Sequence, residues 1–330
     1  MYRGAWQAAG KETTPRPQRK KKQRFCNTNT PKEERGRPQG RRRPRGHKRK
    51  RKMNLNEKID ESIALIRKAE RLAVAMHPEG LWVGFSGGRD SQLLLELVKM
   101  AGVKHRAVYS VTTNDPPENV YFIRRNYPEV EFTHPAQNFF TLVEKKGLPT
   151  RKARYCCAIL KEGSGAGRVV LTGVRADESA RRAKYNEVSI HSNRKEHSDR
   201  NSTYSLQQMI ENEHRCIKGK DKVMVYPVLR WTAAEVQQFH ADHRLSFNTC
   251  YEVSSRVGCI FCPFSSKREI EHYERDPLFK RNLLNALGRY VARADHKRFE
   301  TAEEYYEWWK TGESISTYKE RKRQLNLNLQ

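Results

Sequence analysis

The stretch Leu81-Trp82-Val83-Gly84-Phe85-Ser86-Gly87-Gly88-Arg89-Asp90-Ser91 decides the fold. Its first five residues form a short apolar run that reads as a buried strand, and Ser91 to Met100 reads as a helix with Leu93, Leu94, Leu97 and Val98 on one face, closed by Gly102. A strand that turns through two glycines straight into a helix places the turn outside the carboxyl end of a sheet strand, where α/β proteins bind ligands. Glycine lets the backbone turn tightly and present N–H groups to an anion with no Cβ in the way. The helix contributes its positive end, Ser86 and Ser91 contribute hydroxyls, and Arg89 a fixed charge. The hexapeptide is therefore a candidate phosphate cradle. It fits neither G-x-x-x-x-G-K-[ST] nor G-x-G-x-x-G, which excludes the Walker and dinucleotide-binding signatures.

Working outward, Leu55 to Met76 carries Ile59, Ile63, Ile66, Ala69, Leu72, Ala73 and Met76 at spacings of three and four, a helix stopped by Pro78 and Gly80. Further strands are expected at His105–Val111, Val130–Phe132, Val169–Thr172 and Val223–Tyr226, with a helix from Pro117 to about Tyr127. Five strands alternating with helices predict an α/β fold: a doubly wound, mostly parallel sheet covered on both faces. Residues 184 to 222 are polar and aperiodic, and read as a mobile insertion near the sheet edge.

After Trp231 the pattern is helical. Thr232 with Glu235, and Thr301 with Glu304, have the spacing of capping boxes, and Asp276-Pro277 is an N-cap followed by proline at the first helical position. Tyr305, Tyr306, Trp308 and Trp309 follow the second box. Such rings could stack on bases, but at helical spacing they belong to packing more often than not.

The chain of 330 residues has 65 Lys and Arg against 38 Asp and Glu, a net charge of +27. Residues 1–52 hold 20 of the basic residues and three acids, a charge of +17; the other 278 residues carry +10. That first segment has almost no aliphatic content and reads as a disordered basic tail. It has the composition of a nucleic-acid arm or nuclear signal; alternatively, translation starting at Met53, where the composition changes, would leave it outside the working protein. The remainder divides into 53–245, a nucleotide-binding domain, and 246–330, a helical, cysteine-containing C-terminal region. No apolar run approaches the 18 or so residues of a membrane span, and no secretory h-region is present, so a cytoplasmic protein without a membrane partner is expected.

Seven cysteines, some closely spaced, suit metal or redox chemistry in a reducing compartment better than disulfides. Tyr155-Cys156-Cys157 and Gly258-Cys259-Ile260-Phe261-Cys262-Pro263 are the informative stretches. Cysteines with two residues between them on a turn reach one metal, and four thiolates select Zn²⁺ or an iron–sulfur cluster over hard cations. Adjacent cysteines diverge, so ligation by both Cys156 and Cys157 requires a helix start or a kink. Cys26 lies in the tail, and Cys216 reads as a free buried thiol.

Ser86 to Ser91 resembles the S-G-G-x-D-S signature of PP-loop proteins, the adenine-nucleotide alpha-hydrolase-like enzymes. Five fixed positions coincide by chance in about one such chain in a few thousand. The Cys-Cys pair, then Gly173-Val174-Arg175-Ala176-Asp177-Glu178-Ser179-Ala180-Arg181, then Pro227 to Thr232, then Cys-x-x-Cys, are similar to the phosphoadenosine phosphosulfate (PAPS) reductase branch, over roughly Trp82 to Phe264. The resemblance implies an enzyme that grips ATP or an adenylyl-sulfate nucleotide through Ser86, Gly87, Gly88, Arg89, Asp90 and Ser91. It implies Mg²⁺ and attack at the α-phosphorus if ATP is used, with Asp90 and Ser91 as the catalytic candidates. Lys161, Gly173, Arg175 and Arg181 are implied as further nucleotide-binding residues. A [4Fe–4S] cluster on Cys156, Cys157, Cys259 and Cys262 is implied as well; Cys250, nine residues before Cys259, is an alternative to Cys156, and zinc an alternative to iron.

One departure matters. Reductases of this branch carry a reactive cysteine near the C-terminus, whereas no cysteine follows Cys262 here. A thiolate nucleophile is needed to form a thiosulfonate from an adenylyl sulfate. The expected function is therefore sulfur transfer or nucleotide-dependent activation of an unidentified acceptor, with nucleic acid among the acceptors considered and a sulfur or electron donor protein as a partner. Sulfonucleotide reduction with an external thiol is the alternative oxidoreductase reading, and nucleic-acid binding on a degenerate nucleotide fold is the third.

Overall fold

The structure is a computed structural model, and it describes residues 53–191, 206–211, 221–293 and 298–327. The basic tail, Cys26 and Cys216 lie outside those residues. In chain order the elements are α1 (Leu55–Met76), β1 (Leu81–Phe85), α2 (Arg89–Ala101), β2 (His105–Ser110), α3 (Pro117–Asn126) and β3 (Glu131–Thr133). Then come α4 (Phe139–Lys146), α5 (Tyr155–Leu160), β4 (Val169–Leu171), β5 (Val188–His191), α6 (Leu206–Glu211) and β6 (Lys222–Val225). The chain finishes with α7 (Ala233–Asp242), α8 (Cys250–Val253), α9 (Lys267–Glu274), α10 (Pro277–Arg293), α11 (Ala302–Thr311) and α12 (Ile315–Leu327).

The strands form one sheet in the order β3-β2-β1-β4-β6-β5, parallel except for β5, which runs antiparallel to β6 at the edge. Six strands, not five, therefore make the sheet. The added strand lies within the segment read as aperiodic, and its inward Ser189 explains the omission: the residue is buried and shares a hydrogen bond with the Tyr226 hydroxyl at 3.0 Å. The rest of that segment, 192–205 and 212–220, is outside the described residues apart from α6.

From β1 the chain steps outward to β2 and β3, then returns to the opposite side of β1 as β4. That reversal makes the carboxyl ends of β1 and β4 a topological switch point, and parts the loops that follow them.

Alternation along β1 sends Leu81, Val83 and Phe85 into the main core with α1, α2, α3 and α7, and Trp82 to the other face, beside Val170, Met224 and Tyr226. A second core gathers Phe139, Leu142, Val143 and Leu160 with Ile260, Phe261, Leu283, Leu287 and Tyr306. It therefore draws α4 and α5, which precede β4, together with the C-terminal helices. Tyr305, Tyr306 and Trp309 are buried in this core, the packing role their helical spacing implies.

Capping follows the sequence at Thr232, where both halves of the box with Glu235 form. At Thr301 only one half does: its side chain accepts from the Glu304 N–H at 3.1 Å, while the Glu304 carboxylate turns to the Glu300 N–H at 2.9 Å.

Candidate active site

The loop between β1 and α2 is shaped from below. Gly87 adopts φ +77°, and a Cβ there would lie 2.2 Å from Asn119 Oδ1. This conformation turns the Gly87 carbonyl back into the protein, where Gln92 Nε2 donates to it at 3.1 Å and Asn248 Nδ2 at 3.0 Å. Asn119 in turn donates to the Ser86 carbonyl at 3.2 Å and accepts from Asn248 at 2.8 Å. With its carbonyls held inward, the loop presents N–H groups outward, the polarity an anion requires. Among the described residues, no protein acceptor takes the Gly87 or Asp90 N–H.

The serines act differently from the simple expectation of two ligand donors. Ser91, 5% exposed, spends its hydroxyl proton on the Gly88 carbonyl at 2.8 Å and accepts from the Ser86 N–H at 3.2 Å. The Ser86 hydroxyl donates to Ser91 Oγ at 3.1 Å. A hydroxyl has one proton to give, so in this arrangement both clip the loop into shape.

Asp90 and Arg175 bring the β1 and β4 loops together. Arg175 Nε donates to Asp90 Oδ1 at 2.7 Å, and its Nη1 reaches Asp177 at 3.3 Å and the Trp231 carbonyl at 3.4 Å. Burial raises the Asp90 carboxyl above its ordinary value, and Arg175 opposes that shift. Gly173 permits the approach, because a Cβ there would stand 2.6 Å from the Asp90 carbonyl oxygen. Its contribution is thus close packing of one backbone on another. Arg181 lies apart, exposed beside a short 3₁₀ turn.

Tyr251 and His240 complete the surround. The Arg89 N–H donates to the Tyr251 hydroxyl at 2.9 Å, with the Arg89 guanidinium 4.3 Å from the Tyr251 ring centroid. His240 Nε2 shares a hydrogen bond with the Arg89 carbonyl at 2.9 Å, and burial lowers the His240 pKa, favouring the neutral ring.

The second constellation sits beyond β2, next to β1. Here Thr112-Thr113-Asn114-Asp115 grips the Cys-x-x-Cys turn: the Asn114 carbonyl accepts from Ile260 N–H at 2.8 Å, and Asn114 Oδ1 from Phe261 N–H at 3.3 Å. Thr113 has φ +58°, unusual for a β-branched residue and a form of strain that accumulates at functional loops. Thr112 Oγ1 donates to Asp115 at 2.7 Å and lies 3.6 Å from Cys259 Sγ.

Lys161 joins the cysteine pairs. As a residue it is solvent-accessible, yet its ammonium is hemmed in by protein and faces Cys259 and Asp115. Desolvation opposes its charge, but Cys259 and Asp115 outweigh that effect and hold its pKa above the ordinary lysine value. Burial pushes the Cys259 thiol up while Lys161 pulls it down. The Cys156 and Cys157 thiols act on one another at the start of α5, where adjacent cysteines are expected to be usable together. Their interaction draws Cys157 down to about 6, with help from Arg154 and Lys161, and raises Cys156. Arg256 donates to Cys262 Sγ at 3.4 Å.

The structure thus places Cys156, Cys157, Cys259 and Cys262 within one electrostatic neighbourhood. Cys250 instead faces Tyr273 and Glu118 and is buried, its thiol pushed up to about 12. Among the described residues, no three His, Cys, Asp or Glu side chains converge as ligands of a single ion. A cavity of about 420 Å³ opens against Trp82, Ser110, Thr133, His134, Leu160 and Arg168, so α5 forms part of its wall, while the phosphate loop does not.

Sequence reasoning missed Asn119, Asn248, Tyr251, His240 and the Thr112–Asp115 loop. Only the last had a signal, a cluster of turn formers just past a predicted strand at the carboxyl edge of the sheet. No described helix is long and apolar enough to cross a membrane.

The phosphoadenosine phosphosulfate reductase domain profile matches residues 80–265. An uncharacterized protein of Methanocaldococcus jannaschii is 23% identical over 226 residues, covering 64% of this chain and 48% of that protein. The chain therefore spans about half the length of that curated relative. Similar solved structures include the PAPS reductase of Candida auris, with 14% identity, 62% of this chain and 93% of that chain covered, and a TM-score of 0.38. The FMN adenylyltransferase of Candida glabrata has 12% identity, 62% of each chain covered, and a TM-score of 0.39. The U34-tRNA thiolase NcsA of Methanococcus maripaludis, with its [4Fe-4S] cluster, has 12% identity, 77% of this chain and 80% of that chain covered, and a TM-score of 0.37.

Proposed function

Because this chain belongs to the phosphoadenosine phosphosulfate reductase domain family, we propose that it is a PP-loop enzyme that binds ATP and activates an acceptor for sulfur transfer. The observation that carries this reading is the inward-held Gly87 carbonyl, which leaves a glycine loop and a helix N-terminus presenting N–H groups at the switch point. Arg89 supplies positive charge there, while Arg175 is held in ion pairs with Asp90 and Asp177. An acceptor oxygen attacks the α-phosphorus; the new P–O bond forms as the bond to the β-phosphate bridging oxygen breaks, and pyrophosphate leaves with that electron pair. The loop N–H groups and Arg89 stabilise the charge that shifts onto the leaving phosphates. Mg²⁺ belongs to the nucleotide in this scheme.

The four thiols fit an iron–sulfur cluster. Their donor atoms are soft, Cys157 is poised as a thiolate, and Lys161 offsets the negative charge a thiolate-bound cluster brings. Bound there, the cluster would supply soft Lewis-acidic iron and one-electron redox chemistry. Cys156, Cys157, Cys259 and Cys262 would hold it, with Asn114 fixing the turn that carries the second pair.

Calorimetric titration with ATP and Mg²⁺, set against adenylyl sulfate and its 3′-phosphate, tests the reading. ATP binding that falls at least tenfold in Ser91→Ala and Asp90→Ala supports it. No binding of ATP, or sulfite release from either adenylyl sulfate on adding an external thiol, overturns it in favour of sulfonucleotide reduction.

A further inference from the structure

The surface outside the cysteine turn has a chemistry of its own. Phe264, two residues past Cys262, is 44% exposed. The Arg151 and Arg154 guanidiniums lie 5.8 and 5.4 Å from its ring centroid. Arg151 is fixed there by donating to the Pro263 carbonyl at 3.1 Å. Lys152 is exposed between them in sequence, and exposed Arg256 donates to Cys262 Sγ at 3.4 Å. Among the described residues, none of these four cations is in an ion pair with a carboxylate. Isolated surface cations are common, and so are exposed rings. Two guanidiniums without a direct carboxylate partner, gathered at one exposed ring beside a thiol turn, are a narrower observation.

We infer that this rim is the docking surface for the acceptor, and that the acceptor is a single-stranded nucleic acid. The inference rests on the reading of the thiol centre as a site of sulfur transfer. Three features favour a nucleic acid over an acidic protein. Three of the four cations are arginines, whose planar fork grips a phosphate through paired hydrogen bonds. An exposed ring with guanidiniums beside it is a platform on which an unpaired base stacks, with cation–π contacts at its border. The ring also lies two residues from Cys262, so a base stacked on Phe264 brings its neighbour to the mouth of the thiol centre. A duplex keeps its bases stacked inside and offers none to such a platform.

The test uses the full-length protein and a mixed-sequence single-stranded RNA of about 20 nucleotides, with duplex DNA and polyglutamate as comparators. The paired variant Arg151→Ala/Lys152→Ala is expected to lower affinity about tenfold at physiological salt and to flatten the salt slope by roughly one to two units. Phe264→Ala is expected to lower affinity about tenfold with the slope unchanged, because stacking releases no counterions. The combination separates the rim from the basic tail, which all variants retain. Equal binding by wild type and both variants overturns the inference and assigns affinity to the tail. Polyglutamate competing as well as RNA, with Phe264→Ala unaffected, overturns it in favour of an acidic protein partner. ATP titration of the same variants should match wild type, which also verifies folding. If wild type fails to bind ATP while RNA binding still depends on the rim, the proposed function fails and the docking surface stands.

Discussion

The phosphate loop and the cysteine centre lie at neighbouring strand ends of one sheet, yet they are built in opposite ways. The loop is continuous in sequence, with backbone N–H groups as its working parts, and side chains from α3, Asn248 and Tyr251 merely hold its shape. In the cysteine centre the candidate working atoms are side chains from two distant segments; Lys161 faces both, and Thr112–Asp115 holds the second. A backbone site is specified by conformation, so it is broken by adding atoms. A side-chain site is specified by chemistry, so it is broken by changing a thiol.

Gly173→Ala should show that contrast most strongly. A Cβ 2.6 Å from the Asp90 carbonyl oxygen meets backbone that cannot swing aside. Overpacking of this kind costs about 1 to 3 kcal/mol. ATP affinity measured by calorimetry should fall more than tenfold, while iron and acid-labile sulfide content after anaerobic purification stays at the wild-type level. Parallel loss of both would mean that the two regions are one cooperative site.

The pH dependence of the thiols sharpens the other side. Interaction with the Cys156 thiol, together with Arg154 and Lys161, lowers Cys157 to about 6 from an ordinary thiol value. A depressed pKa contributes stability that is complete above the ordinary thiol value, declines as pH falls toward 6, and is gone below it. In protein stripped of metal, alkylation of the Cys157 peptide followed by mass spectrometry should therefore have its midpoint near 6, and Cys156→Ala should move it upward. A midpoint near the free-thiol value of about 8.5 removes the electrostatic account.

Cys250→Ser is expected to do least. Cys250 is buried against Tyr273 and Glu118, apart from the other four. Iron content should be unchanged, with stability lowered by no more than about 1 to 2 kcal/mol from placing a hydroxyl in that site. Loss of iron would put Cys250 among the ligands in place of Cys156.

This division also explains what could be read from sequence. The strand, loop and helix around Gly87 are local, and their periodicity and turn chemistry sit within about twenty residues, so the element boundaries there differ from expectation by only one or two positions. Strand β5 escaped because the polar face of Val188-Ser189-Ile190-His191 is turned inward, where Tyr226 satisfies it. Asn119, Asn248 and Tyr251 each look like ordinary polar positions. Their role exists only once α3 and α8 are folded against the loop, and no spacing along the chain records that meeting. Cysteines are conspicuous by type, but which of them assemble is a tertiary fact: Cys250 is closer in sequence to Cys259 than Cys157 is, and the fold nevertheless turns it elsewhere.

The bond from Asn114 to Phe261 joins residues 147 apart in the chain. Closing a loop of that span costs more entropy than closing the local helices and the neighbouring strand pairs. The clasps of the phosphate loop, Asn248 to Gly87 and Arg89 to Tyr251, span 161 and 162 residues, so both regions reach their final shape only when the C-terminal segment docks on the sheet. A group held by the cysteine thiols would find both pairs in place only after that docking.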